Sequence, residues 1–133
     1  MSIDNLDTVK QLIAEKECGR VEFKETTGQL ERGMETLCAF LNGEGGTVLF
    51  GVTDKGKIIG QDVSDKTRRD IAEAINRLEP MAAVQISYAP LSDSEKKVIA
   101  FHVENSKLNR PFSYKGRPYA GRKRDHDDAA DCI

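Results

Sequence analysis

Apolar residues recur at helical spacing from the start of the chain. Leu6, Val9, Leu12 and Ile13 line one side of a helix predicted over residues 4–16, with Asp4 as its N-cap. The period then falls to two. In RVEFKE, residues 20–25, Val21 and Phe23 alternate with Glu22 and Lys24, which predicts a half-buried strand with its charged side chains opposite its apolar ones. Met34, Leu37, Cys38 and Leu41 return to helical spacing and predict a second helix from about residue 30 to 41. TVLFGVTD, residues 47–54, is apolar almost throughout, as a central strand covered on both faces would be. DKG at 54–56 then turns the chain into KIIGQDV as a hairpin.

Ser64 or Asp65 is the expected cap of a third helix that buries Ile71, Ile75 and Leu78 and stops before Pro80. Val84, Ile86 and Tyr88 alternate along AVQISYAPL, and Ile99, Phe101 and Val103 alternate after the polar turn SDSEKK, so these two segments read as an antiparallel pair. RPFSYKGRPYA closes as a last hairpin around Lys115-Gly116, with Pro111 and Pro118 confining its strands to edge positions. The sum is an α/β fold, a single domain with a mixed β-sheet and about three helices. Residues 1–120 are expected to form that domain, and 121–133 an unstructured tail.

Composition agrees with one compact domain: 133 residues, 38% hydrophobic and 32% charged, suffice for a core and include no low-complexity tract. No apolar run approaches the roughly 18–20 residues that span a bilayer, and MSIDNLDTVK lacks the layout of a secretory signal. The default is a cytoplasmic protein with no membrane partner. Cys18, Cys38 and Cys132 are odd in number and widely spaced, which excludes a disulfide framework and a CxxC zinc pattern; Cys38 sits on the apolar helix face as a core residue. The net charge of −2 argues against a uniformly basic nucleic-acid surface, but it hides an asymmetry. Between Asn105 and Arg124 the chain carries seven basic residues, Lys107, Arg110, Lys115, Arg117, Arg122, Lys123 and Arg124, and no acidic one.

NGEGG, residues 42–46, has the glycines of a phosphate-binding loop but not its context. A Walker-type loop leaves a strand, opens a helix and carries a lysine, because the helix N-terminus and the lysine both face the phosphates. Here the order is helix, glycines, strand, with no lysine and no GxGxxG spacing. The expectation is a helix C-terminus with Asn42 or Gly43 left-handed, followed by glycines that turn the backbone into a buried strand.

VEFKE, LCAFLNGEGGTVLFGVTDKGKIIGQD and VIAFHVENSKLNRPFSYKGRPY, in this order over about residues 15–120, resemble the Schlafen AlbA-type domain of bacterial transcriptional-regulator-like and RecG-related helicase proteins. The resemblance implies two functions of different class. One is a nucleic-acid-binding module holding DNA or RNA, for which Lys24, Lys107, Arg110, Lys115 and Arg117 are the expected phosphate contacts and Tyr114 and Tyr119 the expected stacking partners. It needs no cofactor. The other is similarity to the vertebrate Schlafen nucleases, which cleave structured RNA with three carboxylates and a divalent metal; the matching positions are Glu17, Glu22 and Asp54. Carboxylate oxygens suit Mg²⁺ or Mn²⁺, and such a metal can activate water against a phosphodiester. A protein-interaction module without nucleic-acid affinity is a third reading, which the sequence pI of about 5.7 keeps open, and the sequence is compatible with a homo-oligomer.

His102 is expected on the outward face of its strand, without a partner at metal-ligand spacing, and HDDAAD at 126–131 reads as tail rather than as a metal site. Family members usually follow the last hairpin with a YxRVGSxT-like ending, where this chain has YAGRKRDHDDAADCI. Codons for that tail exist whose neighbouring frame restores Val-Gly-Ser after the hairpin. The expectation is that residues from about Ala120 onward are read out of frame, so that Arg122, Lys123 and Arg124 are not evolved contacts; the nucleotide sequence tests this.

Overall fold

The computed structural model describes residues 3–16 and 19–120, apart from the side chain of Lys107. Helix α1 spans Leu6–Ala14, and its cap is Asn5 rather than the predicted Asp4: the Asn5 carboxamide oxygen accepts the Thr8 N–H at 2.9 Å. Strand β1 is Val21–Lys24. A 3-10 turn at Thr27–Gln29 leads into α2, Leu30–Leu41, as predicted. Strand β2 is Gly45–Phe50, earlier at both ends than the predicted 47–54. It ends there because Gly51 turns away: its carbonyl accepts the N–H groups of Ile59 and Gly60, each at 2.9 Å. The predicted DKG hairpin shrinks to a single bridge between Val52 and Ile58.

Helix α3, Asp65–Asn76, is opened by a reciprocal capping box between Ser64 and Thr67. It ends at Asn76, so Leu78 is not on its apolar stripe; it lies in β3, Leu78–Glu79. Strands β4, Gln85–Pro90, and β5, Lys97–Glu104, pair antiparallel as predicted. The last hairpin is β6, Ser113–Tyr114, and β7, Arg117–Pro118, with Pro118 on an edge strand. The main sheet has the order β1-β2-β5-β4, with β1 and β2 parallel and the other pairs antiparallel; β3-β6-β7 form a small second sheet.

Both faces of the main sheet are covered. Val21, Phe23 and Leu49 pack with Val9 and Leu12 of α1. Val48, Phe50, Ile99 and Phe101 pack on the other face with α2, with Ile71 of α3 and with the hairpin residues Phe112 and Tyr114. This explains a misread alternation: on β4 the buried positions are Ser87 and Ala89, under the α1 side, while Ile86 is exposed and Tyr88 only half-buried. On β5 likewise Val98 and Ala100 are as buried as Ile99 and Phe101. α2 approaches closely because Gly33 lies against the Phe50 ring, where an added Cβ would stand 2.6 Å from Phe50 Cζ. No helix among the described residues is long and apolar enough to cross a membrane.

Candidate nucleic-acid interface

The glycine loop ends α2 differently from expectation. Asn42 is right-handed at φ −85°, and the left-handed residue is Gly45 at φ +86°. Asn42 instead works through its side chain. Its amide nitrogen donates to the carbonyls of Phe112 at 2.9 Å and Tyr119 at 2.7 Å, and its carboxamide oxygen accepts the Phe112 N–H at 2.6 Å. Arg110 adds a guanidinium bond to the Gly43 carbonyl, and its buried Nε finds no partner among the described residues. Arg110, predicted as a phosphate contact, is thereby a half-buried pin of the loop.

So anchored, the β6–β7 hairpin turns through Lys115 at φ +52° and Gly116 at φ +80°, the two positive values of a type I′ turn. The left-handed Lys115 is unusual for a residue with a Cβ. Its Nζ lies 2.7 Å from Glu31 Oε2, in the first turn of α2, and Arg77, just past α3, places Nη1 3.7 Å from Oε1 of the same carboxylate. The Tyr114 hydroxyl completes the group by donating to Glu31 at 3.0 and 3.1 Å. Tyr114 was expected to stack on bases; its side chain is 1% exposed, inside the core beside Phe112, so it has no face for a base. Glu31 was not singled out by any pattern, since a glutamate in the first turn of a helix is ordinary.

Electrostatics follow from this packing. The Lys115 hydrogen bond, chiefly, holds the Glu31 carboxyl below its ordinary value, and burial with the Glu31 bond pushes Tyr114 up to about 12. A depressed carboxylate stabilises the fold above its unfolded value of 4.5, and that contribution is lost as pH falls through the folded value; for a half-exposed group it is about 1 kcal/mol or less. A raised phenol acts with the opposite sign. Its stabilisation is complete below pH 10 and is lost as pH climbs from 10 towards 12, about 2–3 kcal/mol in all. Urea unfolding across that range is expected to show this decline in the native chain and a shallower one in Tyr114→Phe.

The other predicted residues lie apart. Arg117 is exposed on β7, and Tyr119 is half-buried against the core. Lys107 opens a 3-10 turn at Lys107–Asn109. Glu22 and Lys24 are half-buried on β1, on the face opposite Phe23. Lys16 stacks on the Phe23 ring at 4.5 Å and donates to the Asp54 carbonyl at 3.0 Å, leaving the Asp54 side chain exposed. Among the described residues no three His, Cys, Asp or Glu side chains are grouped to hold a metal, so Glu22 and Asp54 alone do not make a centre. Glu17, the third predicted ligand, lies outside the described residues, as do Cys18 and the tail with Arg122, Lys123, Arg124 and HDDAAD. His102 is not simply outward: it bridges Thr47 Oγ1 at 2.8 Å and Glu104 Oε1 at 3.1 Å. It borders an open groove of about 640 Å³ with Val84, Gln85 and Phe112.

Fold and site together define a small α/β module with a two-faced mixed sheet and a cationic hairpin clasped to the start of a helix. The chain belongs to the Schlafen, AlbA_2 family, whose model matches residues 17–131. No curated protein sequence matches it. Among solved structures it is similar to the N-terminal domain of a RecG-related protein from Nitrosomonas europaea, named for its relation to an ATP-dependent DNA helicase. That match has 21% identity and a TM-score of 0.61, and covers 89% of this chain and 92% of that one. It is also similar to the DIP2311 protein of Corynebacterium diphtheriae, with 18% identity and a TM-score of 0.53 over 96% of this chain but only 27% of that longer one. At these identities the likeness establishes the fold.

Proposed function

We propose that the domain binds nucleic acid along its cationic hairpin and serves within a cytoplasmic transcriptional regulator or helicase-related protein. The observation that carries this reading is the cluster of cations at the hairpin: Lys115 and Arg117 are exposed on either side of Gly116, and Arg77 lies beside them, Lys115 and Arg77 sharing the half-exposed Glu31. Such a cluster can contact backbone phosphates without reading bases, which suits a module of overall acidic charge whose basic groups are local. Membership of the family, and the name of the Nitrosomonas relative, support the same class of ligand.

The test is a titration of labelled single-stranded DNA, duplex DNA and structured RNA at low and moderate salt, with and without Mg²⁺ or Mn²⁺. Salt-sensitive binding without cleavage is expected. Arg117→Ala should weaken it about two- to fivefold and lower the slope of log affinity against log salt by about one, without changing thermal stability. Absence of binding at low salt would sink the proposal. Metal-dependent cleavage that disappears in Glu22→Gln would instead establish the nuclease reading, with Glu17, Glu22 and Asp54 as ligands.

A further inference from the structure

Glu31 is half-exposed, yet every donor around it is turned inward upon it. Three elements contribute: the Tyr114 hydroxyl from β6, the Lys115 ammonium from the turn and the Arg77 guanidinium after α3. The donors divide between the two oxygens, Lys115 on Oε2 and Arg77 on Oε1, with Tyr114 within reach of both. A planar pair of anionic oxygens met by an ammonium, a guanidinium and a hydroxyl is also how a phosphodiester is held by its two non-bridging oxygens. The side chains of Glu31, Lys115 and Arg77 are 49%, 51% and 44% exposed, so solvent reaches the group. A carboxylate on a flexible stem can leave, and of the donors Tyr114 is held in place by the core, at 1% exposure, while Lys115 and Arg77 start from the hairpin turn and the end of α3.

We propose that Glu31 is an internal stand-in for a nucleic-acid phosphate: Tyr114, Lys115 and Arg77 form one oxyanion site that Glu31 fills in the free protein and that a backbone phosphate takes over on binding. This rests on the nucleic-acid reading above and adds its regulation. Binding at the hairpin is a competition, in which the protein's own carboxylate sets the affinity and prevents adventitious anions from holding the site.

Three variants test the idea. Glu31→Gln removes the charge but keeps an acceptor for Tyr114, Glu31→Asp keeps the charge but shortens the reach, and Glu73→Gln makes the same charge change at an exposed position of α3. Fluorescence anisotropy with a short single-stranded DNA is expected to show Glu31→Gln and Glu31→Asp binding roughly three- to fivefold tighter than wild type, the factor an exposed ion pair is worth. Glu73→Gln should bind nearly as wild type does. In thermal melts, inorganic phosphate should raise the midpoint of Glu31→Gln more than chloride at equal ionic strength, and not that of wild type. If Glu31→Gln is too unstable to use, Glu31→Asp carries both readouts. Glu31→Asp binding no tighter than wild type, or phosphate acting no differently from chloride, overturns the proposal. If no form binds the oligonucleotide, the nucleic-acid reading falls and with it the role of a backbone phosphate, and the phosphate melts still decide whether Tyr114, Lys115 and Arg77 form an oxyanion site that Glu31 fills.

Discussion

Asn42→Ala is expected to lower the unfolding free energy by about 3 kcal/mol, measured by urea denaturation. One side chain makes three hydrogen bonds to backbone groups, the Phe112 and Tyr119 carbonyls and the Phe112 N–H. Each is worth about 0.5–1.5 kcal/mol net, and truncation also leaves partly buried backbone groups without partners. Asn42→Asp should be no rescue. It keeps the oxygen that serves Phe112 N–H but sets a charge against two carbonyls that then have no donor. Because these bonds fix the segment that ends in the hairpin, the variant should also bind nucleic acid more weakly than Arg117→Ala does, though it alters no exposed cation.

The second large effect is expected three residues on. Gly45→Ala should destabilise the domain by about 3 kcal/mol or more, for two reasons that add. Its φ of +86° is disfavoured for any residue with a Cβ, at about 1–2 kcal/mol. The new methyl would also stand 2.7 Å from the Val103 carbonyl oxygen and 3.0 Å from the Asn105 nitrogen, both backbone atoms that cannot step aside. Gly116→Ala isolates the first term, since its φ is +80° and nothing lies within 4 Å of its added methyl; a loss of about 1–2 kcal/mol is expected there. Gly43→Ala, whose φ is not positive and whose nearest neighbour is 3.3 Å away, should cost least of the three. Chemical denaturation of this set also separates the requirement at Gly45 from that at Gly43.

Local patterns made much of the fold legible. Helix α2 was readable to the residue because Met34, Leu37, Cys38 and Leu41 all face one core. β1 was readable because one of its faces is apolar and the other charged. Errors arose where a distant partner decides. Leu78 continues the helical period of α3, but its backbone pairs with Tyr114, and no local signal encodes a strand of two residues. β4 seemed to bury Val84, Ile86 and Tyr88, because nothing in its own segment reveals that α1 covers the opposite face.

The site was less legible for the same reason. Lys115 and Arg117 stood out as an acid-free basic stretch, and they are exposed at the hairpin. Tyr114 and Arg110, with the same credentials, are structural, one in the core and one bonded to the glycine loop. Whether an aromatic or a cation is available to a ligand depends on contacts more than sixty residues away in sequence, as with Arg110 and Gly43. Glu31 lies 84 positions from Lys115, and only folding brings the two together. Asn42 was read for its backbone, when its contribution lies in its side chain.

The bonds of Asn42 also bear on the order in which the molecule assembles. They span 70 and 77 residues, so each closes a loop of more than half the chain, and such closures add little until the elements between them are in place. Such a late-closing interaction is expected to form on the native side of the folding barrier. Its removal therefore appears as faster unfolding with an almost unchanged refolding rate. On this expectation Asn42 is a latch on the finished fold: Asn42→Ala should shorten the lifetime of the folded domain, and of the hairpin geometry within it, in unfolding kinetics while leaving refolding nearly unchanged.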